Sequence, residues 1–363
     1  MRRMLLVSVC AVLMNLAPLF GQGMTVVGSG YASPTTIRVS PGQITTFFVS
    51  GLSTETTKPQ KATSLPLPNS LAGISVTINQ SSPKQSFPAP LLAVQQLNGC
   101  SNGGAPPPAT VPSDCLVAAI TVQIPYELSL SSPTIGDAAA PGFTEVLITA
   151  NGVTSKAFTI LPVTDTLHVI KTCDAFPPKQ VDPSQGIVSG GCSAAVTHAD
   201  GKLVTADAPG KAGEVLVIYA FGFGQTTPAV KTGSATPIPA PVLLVSQWFR
   251  RTLELQYDFR PNAGPSSPFN ILTGVISPTP PTAPVILLAP VFVGLTPGQV
   301  GLYQINVQLP SVFPAAVVPC TTLAVVTGNP TANPPAIVQS NLTIDIGGVS
   351  SFDGAAICIQ PGK

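Results

Sequence analysis

The chain carries two histidines, His168 and His198. Any imidazole-based acid–base pair or metal site must use them. His198 stands two residues before Asp200 and, with one of the many serines, would supply the parts of a nucleophilic triad. The Gly-x-Ser-x-Gly elbow that exposes such a serine does not occur in the sequence. The expected role of His198 is therefore a place in a hairpin whose tip is Asp200-Gly201, and no catalytic residue is assigned. His168, between Leu167 and Val169, reads as part of a strand. Phe221-Gly222-Phe223-Gly224 has the glycines of a phosphate cradle, but Gln225-Thr226-Thr227-Pro228 cannot open the helix that a dinucleotide site needs. Glycines at a strand end or bulge are the simpler expectation. Asp165, Asp182, Asp200 and Asp207 are hard oxygen ligands without the dense spacing of a calcium loop, so only incidental calcium binding is left open. No cofactor is expected.

Cysteine points to export. Cys100, Cys115, Cys173, Cys192, Cys320 and Cys358 show no C-x-x-C pair, and with two histidines they make a poor zinc set. An even number fits disulfides, which persist in oxidising compartments. The N-terminus agrees. Met1-Arg2-Arg3 precedes an apolar run from Met4 to Phe20, which reads as a signal peptide over 1–21. Cys10 lies inside that run with no lipidation pattern before it. The expected location is secreted or cell-surface, with the periplasm an alternative, and no membrane insertion after cleavage.

Composition bounds the fold. Forty-one prolines and 32 glycines among 363 residues disfavour long helices, since proline costs about 3 kcal/mol in a helix interior. A net charge of +1 removes the basic stripe that nucleic acid requires. Short runs rich in Val, Ile, Thr and Phe, bounded by Pro, Gly, Asn and Ser, read as strands of a β-sandwich. Asn151-Gly152 and Asp200-Gly201 are hairpin turns by type.

An internal repeat organises these runs. Gly42–Leu52 aligns without gaps on Gly213–Phe223, Ile120–Pro125 on Ile305–Pro310, and Ala89–Leu92 on Ala289–Phe292. Each copy then ends in strand candidates: Val146–Thr149 and Ala157–Val163 in the first, Leu323–Thr327 and Asn341–Ile346 in the second. Unequal gaps between anchors place an insertion in each copy. The first holds Cys100 and Cys115, and the second holds Gln247–Arg260.

That segment concentrates Trp248, Arg250, Arg251, Tyr257 and Arg260. Leu253, Leu255, Tyr257 and Phe259 alternate with polar residues, the period of a half-buried strand. An edge strand of the second sandwich is expected. Its aromatic and arginine content makes it the candidate interface.

The second copy, from Thr197-His198-Ala199-Asp200-Gly201 through Gly213–Gly224 and Gly294–Pro310, resembles the uncharacterised carboxy-terminal domain family of acidobacterial secreted proteins. The first motif of each copy also resembles the IPT/TIG pattern of immunoglobulin-like domains. The resemblance implies secretion and a β-sandwich fold, and it brings no catalytic residues. The expected architecture is all-β, with two tandem immunoglobulin-like β-sandwich modules. These are a first module over 34–165, a disulfide-containing linker with a hairpin over 166–208, a second module over 209–347 and a tail over 348–363. The expected function is non-enzymatic, extracellular or cell-surface interaction with a protein or glycan partner. A carbohydrate-binding accessory protein and an enzyme of unrecognised type are the alternatives.

Closing the shortest loops pairs Cys100 with Cys115, Cys173 with Cys192 and, by elimination, Cys320 with Cys358. A loop of about 15 residues contributes about 3 kcal/mol on the chain-entropy estimate. Non-reducing peptide mapping should recover these three pairs, and a link from Cys100 to any cysteine beyond Cys115 would refute the scheme.

Overall fold

The computed structural model describes residues 23–30, 38–52, 58–98, 115–130, 144–170, 195–205, 207–238, 243–244, 253–258, 269–270, 275–276, 285–288, 290–312, 343–346, 349–350 and 358–360. Among them the chain is all-β, arranged in several sheets, none closed, with no α-helix.

The first repeat builds two sheets around one core. In one sheet, here the inner sheet, Ile44–Ser50 lies between Thr25–Gly30 and Leu116–Gln123, and Leu91–Asn98 and Gln60–Lys61 follow on. In the other, Thr144–Ala150 lies between Phe158–Pro162 and Ile74–Ser81, with Arg38–Val39 at one margin. Alternation decides the faces. Ile74, Val76 and Ile78 are buried while the residues between them are part-exposed, as period-two side chains on a sheet with one dry face must be. They meet Phe47, Val49, Ile120 and Val122 of the facing sheet. Phe47 and Phe158 touch edge to face, with ring centroids 6.4 Å apart. Each fully buried Ile, Val or Phe contributes roughly 1.5–3 kcal/mol.

The second repeat builds the same first sheet in the same register. Ile44 pairs with Gln123, and their sequence counterparts Val215 and Gln308 pair with each other. Leu91 pairs with Val122 ahead of a bulge, and Pro290 pairs with Val307 ahead of a bulge. Leu91 is thus equivalent to Pro290, one residue away from the sequence match to Val291. The apolar run tolerates that slip, and the hydrogen-bonded ladder does not.

Strand pairing revises other assignments. Thr25–Gly30 lies ahead of the boundary at 34, yet it pairs with Ile44–Ser50. His168–Val169 and Val196–His198, placed in the linker, both pair with Val215–Phe221. Ile359–Gln360 of the tail runs parallel to Gly210–Lys211, as Phe158–Pro162 does to Arg38–Val39. Thr343–Ile346 pairs antiparallel with Val349–Ser350 and with Leu253–Asp258. It is therefore the counterpart of Thr144–Ala150 and not of Ala157–Val163, the segment to which the sequence matched it. Leu323–Thr327 lies outside the described residues.

Both repeats share a turn that closes their sheets. Gln43 N donates to Ser40 O at 3.1 Å and Glu214 N to Lys211 O at 3.1 Å. Gly42 and Gly213 hold φ of 76° and 75°, a backbone that disfavours side chains. The carboxamide of Gln43 accepts from Ser40 N at 2.8 Å, as the carboxylate of Glu214 does from Lys211 N at 2.8 Å. The Gln123 and Gln308 amides donate to the carbonyls of Gly42 and Gly213 at 3.5 and 3.2 Å.

The two turns differ in what lies against them. A Cβ on Gly213 would meet nothing within 4 Å, whereas on Gly42 it would fall 2.0 Å from the Tyr126 ring. Gly213→Ala should cost about 1 kcal/mol for the left-handed backbone alone. Gly42→Ala should cost a further 1–3 kcal/mol from overpacking. Urea unfolding of both variants checks this, and equal losses would show that Tyr126 yields freely.

Candidate functional site

Tyr126 follows the last strand of the first repeat's inner sheet, yet it packs in the core of the second repeat with Val230, Leu295 and Tyr303. It is 6% exposed. Its counterpart in the second repeat, after Leu309-Pro310, is Ser311, which is exposed. Around it the halves exchange hydrogen bonds. Tyr126 N donates to Thr232 Oγ1 at 2.8 Å, Gln225 Nε2 to Tyr126 O at 3.1 Å and Thr232 Oγ1 to Glu127 Oε2 at 2.5 Å. Gly233 N donates to Gln123 Oε1 at 2.6 Å, and Leu67 N to Gly233 O at 2.8 Å. Thr166 Oγ1 donates to Gln43 Oε1 at 2.8 Å.

Beside this junction lies a cleft of about 370 Å³, lined by Tyr126, Glu127, Gln225, Thr226, Thr227, Ala229 and Val230. The hydroxyl of Tyr126 lies beside that of Tyr303. Tyr303 donates to Gly224 O. The Tyr126 hydroxyl finds no partner of regular geometry among the described residues. Burial pushes both phenols above the usual range, and the charge of Glu127 adds to the effect on Tyr126. Neither is poised to ionise at neutral pH. The cleft offers shape and hydrogen bonding.

His198 stands where the sequence places it, in a hairpin. His198 N donates to Lys202 O at 2.9 Å, and Gly201, with φ of 84°, sits at the tip. Its ring is engaged on both edges, with Nδ1 2.5 Å from Glu214 Oε1 and Nε2 3.0 Å from Ala208 O. Both neighbours accept, so only the imidazolium satisfies the two contacts at once. The hydrogen bond to Glu214 raises the His198 pKa, and Asp200 adds to the shift. Burial works against Glu214, yet His198, the Lys211 amide and nearby charge outweigh it and hold that carboxyl low. A ring nitrogen committed to a carbonyl cannot take a proton from a serine. His198 braces its hairpin against the turn.

The other candidates separate. His168 is buried in a strand and pairs with Phe221. Gly222 and Gly224 hold φ of 83° and 81° at a strand end, with the Thr166 and Thr164 carbonyls 2.1 and 2.2 Å from where a Cβ would stand. Close backbone approach accounts for both glycines. Asp200 pairs with Lys202 at 2.9 Å, and no group of His, Cys, Asp and Glu able to hold a metal occurs among the described residues. Cys115 and Cys358 are each disulfide-bonded. Cys100, Cys173, Cys192 and Cys320 lie outside the described residues.

The candidate interface also divides. Trp248, Arg250, Arg251 and Arg260 lie outside the described residues. Tyr257 belongs to Leu253–Asp258, which pairs with Val285–Leu288 on one side and Thr343–Ile346 on the other. The expected edge strand is an interior strand. It is also no insertion, because its register makes it the counterpart of Ile74–Ser81. The extra length lies instead between Asp258 and Val285, where the first repeat turns from Ser81 to Lys84 through Ser82-Pro83. Alternation is common to edge and interior strands, so sequence pattern alone does not separate them.

No protein-family model matches the chain, and no curated protein is significantly similar to it.

Linkage gives the His198–Glu214 pair a pH signature. The folded pKa of His198 lies above its ordinary value of 6.5. Its stabilisation is therefore complete below 6.5 and is lost as pH rises through the raised value. The depressed Glu214 contributes above its ordinary 4.5 and loses that contribution as pH falls through its folded value. Thermal unfolding followed against pH should show both declines in the wild type. His198→Gln should remove the alkaline one, and an unaltered profile would refute the pairing.

Proposed function

We propose that this is an exported, non-enzymatic protein of two tandem immunoglobulin-like β-sandwich modules that acts in extracellular or cell-surface interaction. The observation that carries the reading is the junction. Tyr126 and the hydrogen bonds through Thr166, Thr232 and Gly233 join the repeats closely, which suits presentation of sheet faces to a partner. The disulfide bonds at Cys115 and Cys358 support an oxidising compartment. The occupied ring of His198 supports a structural role for the one histidine that a triad would need.

Among the described residues no helix is long and apolar enough to cross a membrane. The resemblance to acidobacterial secreted proteins agrees with export through the segment 1–21. A glycan is favoured over nucleic acid as partner, because the net charge of +1 offers phosphates little counter-charge.

Expression of the full chain in a bacterial host should yield a processed protein outside the cytoplasm, its N-terminus near Gly21 by sequencing. The purified protein should sediment with intact cells or isolated cell envelope. A protein that stays cytoplasmic and unprocessed, or that ignores both surfaces, would overturn the proposal.

A further inference from the structure

Six register positions on the outer face of the inner sheet contrast the two repeats. In the first repeat Thr46, Phe48, Ala93, Gln95, Ala119 and Thr121 are all buried. The pairings place Val217, Tyr219, Phe292, Gly294, Gln304 and Asn306 at the same positions in the second. There, all but Gly294 are part-exposed. Leu216, Ile218, Ile305 and Val307, which alternate with them, fill the core, so these side chains face outward.

The chemistry of the face has changed with its exposure. Phe48 is replaced by Tyr219, Ala93 by Phe292, Ala119 by Gln304 and Thr121 by Asn306. Tyr219 is paired with Gln304, and Gln304 with Gly294; Val217 is paired with Asn306, and Asn306 with Phe292. Two aromatic rings thus stand two strands apart and one step along the sheet, roughly 12 Å from strand geometry. Two amides lie between them, and the buried Gly294 stands beside Gln304. Gln304 Nε2 donates to Asn306 Oδ1 at 3.2 Å. That contact orients both amides and leaves the Gln304 carbonyl as acceptor and the Asn306 amino group as donor. Val291, in the bulge beside Phe292, is 61% exposed.

We propose that this face of the second repeat binds an uncharged polysaccharide. Rings stack on the apolar faces of sugars, and side-chain amides match their hydroxyls as both donor and acceptor. None of these side chains is charged. An acidic polymer would lose hydration here without gaining a counter-charge, so charge complementarity selects a neutral chain. The spacing of the rings suits a short run of sugar units and exceeds a single one. The inference rests on the exported-protein reading, since such polymers are met outside the cell.

Affinity electrophoresis of the full processed protein tests it, in gels containing hydroxyethyl cellulose, xylan, mannan or mixed-linkage glucan, with polygalacturonate as the acidic comparison. At least one neutral polymer should retard the protein, and polygalacturonate should not. The double substitution Gln304→Ala with Asn306→Ala removes part-exposed polar groups without opening the core. It should weaken retardation by about tenfold or more with thermal stability unchanged. Tyr219→Ala and Phe292→Ala should do the same where they remain folded. Retardation by none of the neutral polymers, or equal retardation of the folded double variant, overturns the inference. Sedimentation with cells, run in parallel, separates the two failures. Cell binding without polysaccharide binding defeats this assignment alone, and loss of both defeats the exported-interaction reading as well.

Discussion

A single aromatic side chain carried across the boundary between repeats sets the relation of the two halves. Tyr126 leaves the first repeat directly after its inner sheet and is buried in the second repeat's core against Val230 and Tyr303. Its ring fits because Gly42 has no Cβ. Burying an aromatic of this size dominates local energetics, and the surrounding hydrogen bonds supply direction. Gln123 gives its carbonyl to Gly233, and Gln43 gives its own to Thr166. Polar groups this close to a dry core must be paired or they destabilise it. The junction therefore specifies one arrangement, with the buried Tyr126 hydroxyl set beside that of Tyr303.

Repetition shows how one framework was put to two uses. The closing turns have the same hydrogen bonds, the same left-handed glycine and the same glutamine from the adjacent strand. What changes is the residue after the glycine. Gln43 is neutral and faces Thr166 of the chain leading into the second repeat. Glu214 is charged and faces His198. A buried junction favours the amide, because an unpaired carboxylate there would have to shed its hydration. A part-exposed turn accepts the carboxylate and gains a charged hydrogen bond. The substitution follows the environment.

Much of the first sheet in each repeat was legible in the sequence, because its central strands carry both alternation and a gapless repeat. The alignment made Ile44 the equivalent of Val215 and Gln123 of Gln308, and the structure pairs each set in the same way. Outer strands were harder to read. Thr25–Gly30 and His168–Val169 share register with each other, but so short a likeness (Val26 with Val169) does not stand out in the sequence. The second sheet was misaligned because short β-branched runs resemble one another, and only pairing partners tell Thr343–Ile346 from Ile359–Gln360. Tyr126 gave no signal at all. An aromatic after a proline at a strand end has many fates, and its meaning depends on a glycine 84 positions earlier (Gly42 to Tyr126) that the turn already explains.

On the outer sheet face, chemistry comes from residues that the ladder, and not the sequence, brings together. Tyr219, Phe292, Gln304 and Asn306 come from three separate stretches of the second repeat, and none is charged. The ladder brings them side by side on one surface. Trp248 and the arginines near it drew attention because rare and charged residues stand out in a chain with 9% charged residues. In so neutral a protein, however, recognition has to come from polar uncharged and aromatic groups held at fixed spacing. A sheet supplies that spacing without further cost, since its strands are already ordered by the core beneath. Side chains presented on such a surface lose little additional freedom on binding. In the proposed binding, the rigidity that the core and junction impose is what would let an uncharged face discriminate.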